Sequence, residues 1–283
     1  MQSLRAKLVR IRREYVAAID RFKPVLAINA KYAYRLDQAT LEAVLAGLDG
    51  YVDSVLLDGG VNQLWFFNDY VRVAYERGTL QEFINLSRQS PAYTTARESM
   101  INLIRSEPYQ TRIALIRARE FEEMKGLSGG VKADMSRVLT DGLARGLPPN
   151  EIAVNLKQQT GIEINRANRI ARTEIPTALR RARMDEADDA RETLALRTME
   201  MHLSALSPTT RVTHAQRHGK LFTTDQQRQW WSEGANSINC KCSTVSVMVD
   251  AKGEPLIPDF VENARASFKH QAEKEGMPWA KDL

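Results

Sequence analysis

Apolar residues recur at three- and four-residue intervals along the first half of the chain, and that period predicts helices. Leu4, Leu8, Ile11, Tyr15, Ile19 and Phe22 make one stripe. Arg5, Lys7, Arg10, Arg12 and Arg13 occupy the remaining faces, as in an amphipathic helix with a solvated basic side or a basic arm for an acidic partner. Leu41, Val44, Leu45, Leu48, Val52 and Val55 make a second stripe, ended by Asp58, Gly59 and Gly60. A third, aromatic-rich helix carries Leu64, Trp65, Tyr70, Val71, Ala74 and Tyr75; it is expected to stop near Gly78, with Thr79 and Glu82 forming a capping box beyond it. Ser87 to Pro91 reads as a connector, and helices over 93–106 and 109–125 are divided by Pro108.

Gly126, Gly129 and Gly130 predict a boundary, because glycines without an apolar period punctuate a chain. Helices follow over 131–144 and 150–159, the latter closed by Gly161. From Asn165 to Met184, Ala171, Ile175, Ala178 and Ala182 share one face, with Arg169, Arg172, Arg180 and Arg183 roughly opposite. Pro176 predicts a kink or a junction of two helices there.

Thereafter the period changes. Residues 194–203, 220–223 and 242–249 read as strands, with a short helix over 209–218 started by Ser207 and Pro208, and a final exposed helix over 259–275 after a linker at 252–258. The fold class expected is mainly α: a helical docking arm or bundle at 1–125, a central helical region with a basic face at 126–190, a small α+β module at 191–250 and a tail at 251–283.

Composition narrows the classes. Apolar residues at 43% and charged residues at 27% are ordinary for a globular chain of 283 residues. No apolar run approaches the ~20 residues of a membrane span, and no signal-peptide stretch follows the basic N-terminus, so no membrane partner is expected. The net charge of +5 is uneven: residues 132–183 hold ten Lys and Arg against five Asp and Glu, while 184–250 hold seven against nine. Two cysteines one residue apart give no disulfide framework, which points to a reducing compartment.

The chemistry concentrates between Ser207 and Asp250. His214 and His218 are four apart, and Cys240 and Cys242 flank Lys241, so two imidazoles and two thiols could form a Cys2His2 zinc site. Buried thiols beside hydrogen-bonded histidines explain the same pattern without metal, and no cofactor is required. Arg172 and Arg211 have forked donors suited to phosphate or to nearby carboxylates. Trp230 and Trp231 suit base stacking or the covering of a small domain's edge. The chain carries no phosphate-cradling glycine loop, no His-Glu-x-x-His pattern and no Gly-x-Ser-x-Gly elbow.

Ile170-Ala-Arg172-Thr173-Glu174, then Arg211, His214, His218-Gly219 and finally Ile238-Asn239-Cys240-Lys-Cys242 resemble the signature of MuF-type phage head morphogenesis proteins over about residues 130 to 250. The resemblance makes Arg172, Thr173, Glu174, Arg211, His214, Gly219, Asn239, Cys240 and Cys242 the motif positions. It implies a non-enzymatic minor head protein inside the virion near the portal, present in host cytoplasm during assembly. Its partners would be the portal protein, other head components and double-stranded DNA bound without sequence preference. Arg169, Arg172, Arg180 and Arg183 are the expected phosphate contacts. The alternative is a nuclease or NAD-directed transferase on the C-terminal module, since His, Arg and Glu suffice for acid–base work on phosphates.

Overall fold

The computed structural model describes residues 2–27, 31–274 and 276–282. In chain order the elements are α1 (Gln2–Arg21), β1 (Val25–Leu26), β2 (Tyr32–Ala33), α2 (Gln38–Leu56), α3 (Gly60–Gln63), a π-helical turn at Phe67–Val71, α4 (Arg72–Gln89), α5 (Pro91–Arg97) and α6 (Met100–Arg105). They continue with α7 (Glu107–Ala144), α8 (Pro149–Leu194), β3 (Thr198–Leu203), α9 (Val212–Ala215), β4 (Leu221–Phe222), α10 (Thr224–Ser232), β5 (Ser243–Met248), α11 (Pro258–Ala272) and a 3-10 turn at Pro278–Asp282. The chain is mainly α with a small α+β part near its C-terminus. It forms two compact units, residues 1–68 with 114–171 and residues 69–113 with 172–283, so α7 and α8 each contribute to both.

In the first unit the α1 stripe is buried as its spacing predicts: Leu4, Leu8, Ile11, Tyr15, Ile19 and Phe22 are all core residues. Asp37 caps α2 by accepting from the Thr40 amide. The basic face of α1 is partly engaged, with Lys7 donating to the Val55 carbonyl and Arg10 to the Tyr51 hydroxyl, while Arg5 and Arg13 are exposed. The glycines at 126, 129 and 130 do not break the chain, because all three lie inside α7. Gly130 is there for room: a Cβ at that position would collide with the Arg166 guanidinium. Gly161 likewise lies within α8, and the Asn150–Gln159 segment is one stretch of that 46-residue helix. Pro176 is accommodated inside the same helix, so the expected junction is not formed.

In the second unit, Gly78 is not a stop. α4 runs through it, and Thr79 and Glu82, expected to cap a new helix, are buried on its face. A Cβ on Gly78 would overlap the Leu179 carbonyl and stand 2.8 Å from the Ala182 Cβ, so this glycine is what lets α4 lie against α8. Pro108 sits in the first turn of α7, a position that needs no amide donor, and the 93–106 segment is split at Glu98, whose φ is +55°.

The sheet has order β4-β3-β5, all antiparallel, with Glu200 opposite Ser246, Met201 opposite Val245 and His202 opposite Thr244. Alternation along β3 and β5 therefore produces two unlike faces. Met201, Val245 and Val247 pack with Val261 and Ala264 of α11, so the helix expected to be exposed covers the apolar face. The other face presents buried Glu200, His202, Thr244 and Ser246. The outer edge of β5 is closed by side chains: Asn85 and Gln89 donate to the Ser246 carbonyl, Gln89 accepts from the Met248 amide, and Arg183 donates to the Thr244 carbonyl.

The acidic run at 185–189 is a hub rather than a solvated patch. Asp185 accepts from the Tyr75 hydroxyl and from Arg228, and Glu186 from the Tyr93 hydroxyl and Arg97. Asp188 accepts from Arg228 and Arg191, and Asp189 pairs with Arg97. Burial raises the Glu186 pKa above the usual carboxylate range, and the Tyr93 hydrogen bond and Arg97 oppose that shift.

Candidate functional site

Motif residues of the second unit converge where the C-terminal half of α8, the loop before α9 and the loop before β5 meet. Arg180 is the organising side chain. It is 1% exposed, donates from Nη1 to the carbonyls of both Cys240 and Cys242 at 3.2 Å, and donates from Nη2 to the Thr177 hydroxyl at 2.8 Å. Its guanidinium lies 4.6 Å from the centre of the Trp231 ring. Burial pulls its pKa below the ordinary guanidinium value, and the charge of Glu174 and those of the thiols act against that pull. Arg180 was expected to meet DNA phosphates, but its donors are spent on carbonyls inside the core.

Arg183 departs from that expectation for a similar reason. It donates to the Thr244 carbonyl at 2.6 Å and lies 3.3 Å from a Glu82 oxygen, with the side chain only 12% exposed. Of the four arginines expected to contact phosphate, Arg169 and Arg172 remain exposed. The spacing read as two opposed faces misjudged Arg180 because the helix is buried on more than one side, and a 100°-per-residue count says nothing about how wide the covered arc is.

Motif residues tie the same loops together. Thr173 Oγ1 accepts from the Asn239 amide at 3.1 Å, and Arg211 donates to the carbonyls of Ala235, Asn236 and Ile238 at 2.6, 3.2 and 3.0 Å. Asn239 has a φ of +54°, a conformation that asparagine tolerates better than most residues, and Gly219 has a φ of +71° beside Arg265. The Gly219 amide donates to the His202 carbonyl.

Cys240 and Cys242 are free, buried thiols. His214 Nδ1 lies 3.5 Å from the Cys240 sulfur and 3.4 Å from that of Cys242. The pair shares one negative charge more readily than two: a hydrogen bond from Cys242, together with His214 and Arg180, lowers the Cys240 pKa, while the Cys240 charge and burial raise that of Cys242. His218 is not part of this group. Its Nδ1 accepts from the Ser204 amide at 3.0 Å and its ring stacks on Phe268, because the residues after α9 form a turn that carries it to the other side. The expected Ser207–Pro208 helix start is replaced by a turn in which the Ser207 amide donates to Thr210 Oγ1, and α9 has only four residues.

The histidine that does join the cluster is His202 on β3, which brings a ring nitrogen within 4.8 Å of the ligand atoms of His214 and Cys242. Its alternation with Glu200 on a strand was the available signal, but a lone His on an imperfectly alternating segment does not announce a partner. Gln227 of α10 contacts its Nδ1 at 3.0 Å, and the Gln227 carbonyl accepts from Arg217 at 2.6 Å. That arrangement makes the Gln227 amide the donor to His202 and places the ring proton on Nε2. Burial and the Arg217 and His214 charges depress its pKa to about 3, so the ring is neutral. α10, read from sequence only as a polar segment, begins with a capping box of Thr223 and Gln226. Trp231 is buried against Met184 and the cysteines, and Trp230 packs its ring on His202 and His214. Both tryptophans therefore close the module.

Residues 133–245 match the family described as Phage Mu protein F like protein. Over that span, less than half of its length, the chain is similar to Mu protein F-like proteins. The match encloses every motif position named from the sequence. No curated protein and no solved structure matches the chain. Among the described residues no helix is long and apolar enough to cross a membrane.

Proposed function

We propose that the chain is a minor head protein of a tailed phage, associated with the portal vertex and acting in head morphogenesis and in DNA packaging or ejection. The observation that carries this reading is that the motif residues bind one another. Arg211 and Thr173 of the motif, together with Arg180, use hydrogen-bonding groups on the backbone of the 235–242 loop, so these residues work as a latch that gives the module its shape. Side chains engaged with their own loop are less available to a reacting phosphate, which favours a non-enzymatic role. In this role the rest of the chain docks on other head components, and any DNA contact is electrostatic and independent of sequence, through cations that stay exposed such as Arg169 and Arg172.

Cryo-electron microscopy of precursor heads carrying an epitope-tagged chain and a bound antibody fragment tests the portal assignment. Extra density at a single vertex is expected. Density spread over the shell, or outside it, contradicts it.

A further inference from the structure

We propose that Cys240, Cys242 and His214 bind a zinc ion, with His202 beside the site and the fourth coordination position open to a small adjoining cavity. The distances set the case. Zinc bonds of about 2.3 Å to sulfur and about 2.0 Å to nitrogen, at tetrahedral angles, separate a thiolate sulfur from an imidazole nitrogen by about 3.5 Å. His214 Nδ1 stands 3.5 and 3.4 Å from the two sulfurs. Both sulfur–nitrogen edges of a zinc tetrahedron are thus already present.

A purely hydrogen-bonded explanation satisfies the group less well. Nδ1 has a single in-plane direction, either a lone pair or an N–H, yet two sulfurs sit at nearly equal range from it. A cation between the three engages every lone pair at once. Two thiolates with one imidazole are also the donor set that selects zinc over harder cations such as magnesium.

The ligands are held from behind: both thiols face His214 Nδ1, and the Arg180 guanidinium grips the carbonyls of both cysteines. Their burial, at 3% and 4% exposure, keeps the thiols from competing reactions at the surface.

His202 is near enough to be mistaken for a fourth ligand. The Gln227 amide, fixed in orientation by Arg217, donates to its Nδ1, so Nε2 carries the proton and has no lone pair for a metal. Among the described residues that buried N–H has no hydrogen-bond partner. The open position is marked by a cavity of about 50 Å³ lined by His214, Cys240, Cys242, Thr209, Thr210 and Asn239. Such a space admits one water-sized ligand.

Elemental analysis of the full-length protein purified without chelator is expected to find about one zinc per chain. X-ray absorption at the zinc edge is expected to show two sulfur and two nitrogen or oxygen neighbours. Replacing zinc with cobalt(II) in the intact wild-type chain gives a thiolate-to-cobalt charge-transfer band, a readout that needs no variant to fold. His214→Gln and Cys242→Ser lower metal content at least tenfold, whereas His218→Gln and His202→Gln leave the stoichiometry unchanged. Absence of both zinc and the charge-transfer band in the wild-type protein overturns the site. Loss of metal in His202→Gln as complete as in His214→Gln overturns the three-ligand assignment.

Discussion

Arg180 reaches across 60 residues of chain to donate to the carbonyl of Cys240 at 3.2 Å, from a position almost wholly removed from solvent. A buried cation held by carbonyls is costly to disturb, because its removal leaves acceptors without donors in a region water does not reach.

Arg180→Met is therefore expected to destabilise the second unit by about 3 kcal/mol. Arg169→Ala and Arg172→Ala, at exposed positions, are expected to change stability by less than about 0.5 kcal/mol. Urea denaturation followed by hydrogen exchange at the β3 and β5 amides checks both. Equal effects at the three sites contradict the placement of Arg180 in the core.

Two glycines test the close approach of α4 to α8. Alanine is the better helix former by about 1 kcal/mol, so propensity alone favours Gly→Ala in either helix. At Gly126 the added Cβ meets nothing within 4 Å, and a gain of up to about 1 kcal/mol is expected. At Gly78 it meets backbone at Leu179, and Gly78→Ala is expected to cost about 1 to 3 kcal/mol despite the same propensity gain. Thermal melts of the two variants with opposite signs bear this out.

Glu82 gives the second unit a pH dependence. Burial and the neighbouring Glu200 charge push its pKa up to about 7, with Arg183 and hydrogen bonds from Asn85 and Ser246 acting against the rise. Between the unfolded value near 4.5 and about 7, the folded chain holds a proton that the unfolded chain releases. Stability is thus highest at the acid end of this window, falls by a few kcal/mol as pH rises through it, and levels off above it. Glu82→Gln is expected to flatten the profile and to match or exceed wild-type stability at pH 8. Denaturation midpoints from pH 4.5 to 8.5 measure it.

The remaining exposed cations predict a salt-dependent affinity for DNA. Arg169→Ala and Arg172→Ala are each expected to reduce the slope of log K against log salt by about 1, with the same loss on unrelated sequences. Fluorescence anisotropy with two duplexes of unlike sequence decides. An isotherm that does not move between ~50 and ~200 mM salt contradicts the proposed contact.

Much of the architecture was legible from spacing. The α1 and α2 stripes, the three strands and the C-terminal helix all follow from the period of apolar residues, since burial of one face is what makes such elements stable. Glycine and proline misled wherever packing overrode them. Gly78, Gly130 and Pro176 lie inside helices whose neighbours cover them, and a local propensity of about 1 to 3 kcal/mol yields to that much burial. At the site, His214, Cys240 and Cys242 came together as their types suggested. His218 lies elsewhere, and His202 stands beside the cluster instead, because the four-residue spacing presumed a regular helix where the chain makes one turn and then doubles back to β4. No sequence rule supplied the Arg180 latch, since its partners are carbonyls about 60 residues away.

Quantitative mass spectrometry of purified precursor and mature heads addresses the proposed role most directly. The expected result is this polypeptide in precursor heads at a fixed ratio to the portal protein. Its absence from both kinds of particle would contradict a role in the head.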